Sequence, residues 1–156
     1  MMRYIALLVS LAVFLAGCGQ TQAVREERAA NAILKLGGKV IRAEKLPGRP
    51  IVEVDLSGTK VTDSDLKDLK ELKGLEKLVL WATEITDAGL KDLKELKGLK
   101  RLYLGRTGRT QITDAGMKDL KELKGLQTLG LSNTQITDAG LKDLQRALPN
   151  TTIYGP

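Results

Sequence analysis

The sequence contains no histidine, a single cysteine and a single tryptophan in 156 residues, and aromatics make up only 3% of it. Without histidine, a Ser-His-Asp set cannot be assembled, and with one cysteine no His/Cys metal cluster can be. Carboxylates are plentiful, but no phosphate-cradling loop accompanies them, so the chain reads as non-enzymatic, with no cofactor and no metal. Scarce aromatics also argue against nucleic-acid binding. The formal net charge is +6, which speaks to solubility and to diffuse attraction for anions rather than to fold. Much of that charge is cancelled locally: between Thr86 and Gly98, Asp87, Asp92 and Glu95 alternate with Lys91, Lys94 and Lys97. Such a pattern describes a solvated face.

What the chain does contain is one phrase repeated four times. Thr-Asp pairs fall at Thr62-Asp63, Thr86-Asp87, Thr113-Asp114 and Thr137-Asp138, with spacings of 24, 27 and 24 residues. A period of this length dictates the architecture before any other signal does. The clearest copy runs from Leu75 to Leu99. Its Leu75, Leu78 and Leu80 follow L-x-x-L-x-L, a short strand with Leu78 and Leu80 on one side and Val79 on the other. Ile85 and Thr86-Asp87 follow. The spacing predicts a helix with Thr86 as N-cap, Asp87 favoured in its first turn by the helix dipole, and Ile85 stapled to Leu90. Val61/Leu66, Ile112/Met117 and Ile136/Leu141 repeat the staple. Leu90, Leu93 and Leu96 line one face, and Gly98 (Gly74 and Gly125 in other copies) is expected at C′ with positive φ. One strand and one helix cannot bury both apolar faces, whereas stacked copies can.

This phrase resembles the leucine-rich repeat, over residues 51–156. The resemblance implies an α/β solenoid of about four repeats plus caps, with a parallel β-sheet on the concave face and helices on the convex face. The T-D-A-G-L variant is similar to repeats of some bacterial envelope proteins. It also resembles the repeat arrays of F-box substrate receptors, which makes a substrate-recognition repeat module a remote alternative; no F-box-like segment is present. Where the family usually places Asn after the strand, this chain has Thr59, Thr83, Thr110 and Thr134. A threonine ladder bonding nearby backbone is expected there.

Residues 1–17 combine Arg3 with an apolar run and end Leu15-Ala16-Gly17 before Cys18. A basic start followed by a short apolar stretch reads as a secretory signal. The Leu-Ala-Gly-Cys ending resembles a bacterial lipobox, which implies cleavage, lipid attachment at Cys18 and an acylated N terminus. Several acyl chains anchor stably where one does not. The expected address is therefore the bacterial cell envelope, as a membrane-anchored lipoprotein facing the periplasm or the cell surface. Residues 18–23 form the lipidated cysteine and a tether. Residues 24–50 form an N-terminal cap, with a helix from about Val24 to Leu36, a strand from Lys39 to Ala43 and a turn at Leu46–Pro50. Ile51–Leu56 is the first repeat strand. At the other end Pro149 stops the last helix, Thr151–Tyr154 adds a strand, and a C-terminal cap starts at about residue 148.

On the concave sheet, residues between the leucines face solvent. Three columns follow: Glu53, Lys77, Arg101, Thr128; Asp55, Val79, Tyr103, Gly130; and Ser57, Trp81, Gly105, Ser132. Tryptophan, tyrosine and arginine are the residue types enriched at the energetic centres of interfaces. The candidate partner-binding patch is therefore Lys77, Trp81, Arg101, Tyr103, Arg106 and Arg109. It would serve an unidentified protein partner. Repeat 3 carries three extra residues, because Gly105-Arg106-Thr107 is duplicated as Gly108-Arg109-Thr110. Lys100–Arg109 holds four basic residues and no acid, so an anionic envelope polymer or lipid headgroup is the alternative partner.

Overall fold

The computed structural model describes residues 21–105 and 111–155. The signal segment, Cys18, Arg106, Arg109 and Thr110 lie outside the described residues. The architecture is a six-stranded sheet in sequential order, β1 (Lys39–Arg42), β2 (Ile51–Asp55), β3 (Lys77–Val79), β4 (Arg101–Tyr103), β5 (Thr128–Gly130) and β6 (Thr152–Tyr154). The first pair is antiparallel and every later pair is parallel. Each strand is short because only one inward side chain sits at its centre. Val54, Leu78, Leu102 and Leu129 stack in register and are fully buried. Burying a leucine contributes about 1.5–3 kcal/mol, and the column is continued on either side by Ile51, Leu75, Leu99 and Leu126 and by Leu56, Leu80, Leu104 and Leu131.

At the amino end, helix α1 (Gln22–Lys35) buries Ala29, Ala30 and Ile33 against the first repeat. It begins inside the segment expected to be a tether. Glu26 fastens it, accepting from the Ile51 N–H at 2.8 Å and from Arg42 at 3.3 Å.

The convex segments are helices, as expected, but of unequal kind and length. Repeat 1 forms a 3₁₀ helix (Asp65–Glu71), and α2 (Asp87–Leu93) and α3 (Met117–Leu120) are short; only α4 (Asp138–Ala147) reaches ten residues. Leucine spacing sets the longest helix apart from the other three. Leu66/Leu69/Leu72, Leu90/Leu93/Leu96 and Met117/Leu120/Leu123 recur every three residues and are all buried. A spacing of three lies on one face at 3₁₀ pitch but drifts around an α-helix. Repeat 4 instead places Leu141, Leu144 and Leu148 at three and four, the α-helical spacing.

One further expectation is corrected, and the threonine ladder bonds nearby backbone as expected. Gly74, Gly98 and Gly125 do not adopt positive φ; those conformations occur just after the strands, at Gly58, Ala82, Gly105 and Asn133. Gly74 is small for another reason, since a Cβ there would lie 2.9 Å from Pro50. The ladder threonines Thr59, Thr83 and Thr134 turn back within their own repeats, each hydroxyl donating at 2.8 Å to the carbonyl of Leu56, Leu80 or Leu131.

The aspartates carry the stack. Asp63 accepts from the Thr86 N–H at 2.9 Å and the Thr86 hydroxyl at 2.7 Å. Asp87 holds Thr113 at the same two distances, and Asp114 holds Thr137 at 2.9 and 2.6 Å. Each carboxylate thus binds the next repeat, rather than acting only on its own helix dipole. The threonine still caps locally: Thr86 Oγ1 accepts from Ala88 N–H and Thr137 Oγ1 from Gly140 N–H, both at 3.2 Å. The glycine of T-D-A-G makes room for the incoming carboxylate. A Cβ on Gly89, Gly116 or Gly140 would lie 2.4, 2.3 or 2.0 Å from Oδ1 of Asp63, Asp87 or Asp114. Repeat 1 has no preceding T-D-A-G repeat and carries Asp65 where the others have glycine. Asp65 Oδ2 accepts from the Thr62 N–H at 2.8 Å and its hydroxyl at 2.6 Å, supplying from within what a preceding repeat supplies elsewhere.

The Thr137 hydroxyl, and after it the Thr137 N–H, hold the Asp114 carboxyl below its ordinary value, against a small opposing effect of burial. A lowered folded pKa means that the contribution is complete above the unfolded value and lost as pH falls through the folded one. In urea melts between about pH 5 and pH 2, the wild type should lose stability more steeply than Asp114→Asn. Parallel pH profiles for the two proteins would show that this joint does not couple to protonation.

Candidate functional site

The strand register places the candidate residues on one open face. Glu53, Lys77, Arg101, Thr128 and Thr152 are direct neighbours across β2 to β6, as are Asp55, Val79, Tyr103, Gly130 and Tyr154. Backbone bonds continue the alignment past the strands, with Gly58 N–H donating to Trp81 O at 2.8 Å and Ala82 N–H to Gly105 O at 3.0 Å. The sheet therefore brings Lys77, Trp81, Arg101 and Tyr103 together. Arg106 and Arg109 lie outside the described residues.

Trp81 and Tyr103 meet edge to face, with ring centroids 5.4 Å apart and an interplanar angle of 66°. Such pairs contribute roughly 0.5–1.5 kcal/mol beyond the area they bury. Both rings are half-buried, so the pair is a preformed step on the sheet. Its far side rests on β5, where a Cβ on Gly130 would come within 3.0 Å of Tyr103 Cδ1. Sequence reasoning placed Gly130 in this column but gave it no role. Its lack of a side chain is what lets the tyrosine ring lie over the next strand. Tyr154, 58% exposed, extends the same column on β6.

The charges divide unequally. Lys77 Nζ is 2.6 Å from Glu53 Oε1, and Lys100 Nζ is 2.7 Å from Glu76 Oε1. Both cations are therefore engaged. Arg101 is exposed, and among the described residues it forms no ion pair. Burial acts to raise the Asp55 carboxyl, but bonds from the Ser57 hydroxyl and N–H, with Lys39 and Lys77 nearby, bring it below its ordinary value. The face thus runs from a bonded acidic end at Glu53 and Asp55, through the aromatic step and the uncommitted Arg101, to a neutral end at Thr128 and Thr152. Among the described residues, no cluster of three metal-ligating side chains occurs.

The repeat architecture recurs in known proteins. Residues 126–144 match the family model described as a leucine-rich repeat. A leucine-rich repeat protein of Leptospira interrogans is similar at 29% identity over 70% of this chain, with a TM-score of 0.52. The fold is a short leucine-rich repeat solenoid. An internalin of Listeria monocytogenes is similar more loosely, at 24% identity over 61% of this chain and 32% of its own, with a TM-score of 0.42. Among curated proteins, none matches the chain. The match to the Leptospira protein spans 28% of that protein's length, so the likeness concerns the repeat array and not a whole-protein activity. Leucine-rich repeats present extended concave surfaces, and Trp81, Tyr103 and Arg101 lie on the sheet face of this one.

If Gly130 supports the step, Gly130→Val should lift the Tyr103 ring off β5 and disturb its packing on Trp81. The expected readout is a shift in tryptophan emission and near-ultraviolet circular dichroism with the far-ultraviolet spectrum retained. Unchanged tryptophan emission in a folded variant would show that the step does not depend on that glycine.

Proposed function

We propose that this solenoid is a non-enzymatic binding module, held in the bacterial envelope by a lipid on Cys18, that recognises a protein partner through its concave sheet. The observation carrying this reading is the Trp81–Tyr103 pair on an open sheet face, 5.4 Å between centroids, beside an arginine with no ion pair among the described residues. Rigid aromatic rings supply contact area with little conformational entropy to lose, and a neighbouring guanidinium can take a carboxylate with two parallel hydrogen bonds. The same pairing favours a protein over a polyanion. Lys100, one of the four cations of the basic segment, is already bonded to Glu76. The anchoring part rests on the sequence of residues 1–18 alone.

Crosslinking capture from solubilised envelope tests the reading, with the chain as bait beside a folded Trp81→Ala/Tyr103→Ala variant. A protein captured by the first and lost from the second is the expected result. Loss of interface aromatics costs about 2 kcal/mol or more when they form the energetic centre, so capture should fall at least about tenfold. Equal capture by both baits, or capture only of polyanionic material released by salt, would contradict the proposal. In the same preparation, Cys18→Ser should leave the membrane fraction, and retention there would contradict the anchor.

A further inference from the structure

The amino-terminal layer of the solenoid differs from the repeats in charge and in apolar exposure. Residues 22–50 carry seven basic and three acidic side chains, which is +4 of the chain's +6, whereas residues 51–156 carry seventeen and sixteen. The acids of this layer are mostly turned inward: Glu26 and Glu27 are both bonded to Arg42. Arg25 reaches Glu71 at 3.5 Å. That leaves Arg28, Lys35, Lys39, Lys45 and Arg49, all exposed and without an ion pair among the described residues. Apolar side chains are exposed in the same layer. Val24, Leu34, Ile41 and Leu46 are 50–54% exposed, and among the described residues Tyr154 is the one other large apolar side chain so open. Such residues need no explanation singly, but gathered beside cations they mark a contact surface. Their place in the fold gathers them. β1 is the edge strand at this end of the sheet, and α1 buries Ala29, Ala30 and Ile33 behind it. On the opposite side of α1, Val24, Glu27, Arg28, Asn31, Ala32 and Lys35 follow helical spacing and, with Asp68, line a depression of about 620 Å³. Ile41 lies on β1 opposite Glu53, and Lys45, Leu46 and Arg49 follow in the connection to β2.

We infer that this amino-terminal layer is a docking surface for an anionic lipid headgroup layer, on which the solenoid stands by its cap. The inference rests on the lipid anchor at Cys18 proposed above and adds an orientation to it. Cys18 is four residues before Gln22, a reach of at most about 14 Å in extended chain. Acyl chains on Cys18 would therefore bring this end of the solenoid to the bilayer before any other. Lysine and arginine are drawn to anionic headgroups, and apolar side chains between them enter the boundary with the acyl region. The five unpaired cations are spread over a helix, a strand and a connection, which suits a continuous negative surface better than a single acidic side chain. In this pose the sheet strands lie as successive layers above the membrane. At about 4.8 Å per strand, the Trp81–Tyr103 step on β3 and β4 stands roughly 10–14 Å above β1 and faces sideways. The concave face thus stays open to a partner approaching along the membrane.

The test uses the full chain purified from bacterial membranes, with acylation read by intact mass. It is reconstituted in phosphatidylcholine vesicles with or without a quarter of phosphatidylglycerol and a headgroup-borne nitroxide quencher. A fluorophore on Asn31→Cys reports the cap, and one on Lys118→Cys reports the body. Stronger quenching at position 31 than at 118 is expected, increased by phosphatidylglycerol. Arg28→Gln/Lys35→Gln should lose that increase, while the charge-conserving Arg28→Lys/Lys35→Arg should keep it. Equal quenching at the two positions would overturn the inference. So would quenching at 31 indifferent to phosphatidylglycerol and to neutralisation, which the tether alone would produce. A mass without acyl chains would refute the anchor separately, and flotation with the anionic vesicles then reads the cap. Flotation that neutralisation weakens at least about tenfold supports docking, and flotation that it leaves unchanged, or none, contradicts it. Sedimentation showing a dimer that neutralisation dissolves would also contradict it, by assigning the layer to a second copy.

Discussion

The solenoid depends on a carboxylate that leaves its own repeat. Parallel strands bury leucines whatever their order, and burial alone is non-directional. The aspartate of each Thr-Asp pair adds direction, because it binds two donors at one point of the following repeat and finds space only above a glycine. Leucine stacking and the joint then agree on a single register. In the two interior joints Asp87 and Asp63 hold their threonines at the same distances, 2.9 and 2.7 Å. The Asp87–Thr113 joint, which spans the three extra residues of repeat 3, keeps that geometry.

Function is laid over this frame and not built from it. The side chains that repeat most faithfully are those that hold the stack. The side chains that differ from repeat to repeat are those pointing off the concave sheet. Trp81, Tyr103, Arg101 and Gly130 sit at positions where neighbouring strands carry serine, valine, lysine and tyrosine. Under the proposed function, binding specificity resides in the divergent columns, which include the edge-to-face aromatic pair. The likeness to the Leptospira protein at 29% identity supports the frame.

Much of the frame was legible in the sequence. The L-x-x-L-x-L spacing located every repeat strand, and the period of 24 put Lys77 beside Arg101 and Val79 beside Tyr103 before any coordinates. What could not be read was the hydrogen bonding between the Thr-Asp pairs of successive repeats. Asp87 reads locally as a helix-dipole residue, because its true partner, Thr113, is 26 positions away. The signal was present in the contrast between Asp65 and the glycines at 89, 116 and 140, which makes sense only if a carboxylate arrives from outside. Repeat 1 forms a 3₁₀ helix where repeats 2 and 3, with the same apolar spacing, form short α-helices. In the candidate site, Tyr103 was visible by type and column, while the role of Gly130 required knowing which way the ring leans.

The central claim is that Asp87 and Gly116 are two halves of one joint, and a double-mutant cycle tests it. Gly116 has φ −69° and ψ −23°, ordinary helical values, so propensity alone would make Gly116→Ala stabilising by up to about 1 kcal/mol. The joint predicts the opposite: a loss of about 1–3 kcal/mol in urea melts of the wild type, from a Cβ forced against Asp87 Oδ1. In an Asp87→Ala background, where the carboxylate is gone and Leu90 Cδ1 at 2.8 Å is the close contact left, the same substitution should cost distinctly less. An equal effect of Gly116→Ala in both backgrounds would contradict the account, because it would mean that the carboxylate and the glycine do not meet.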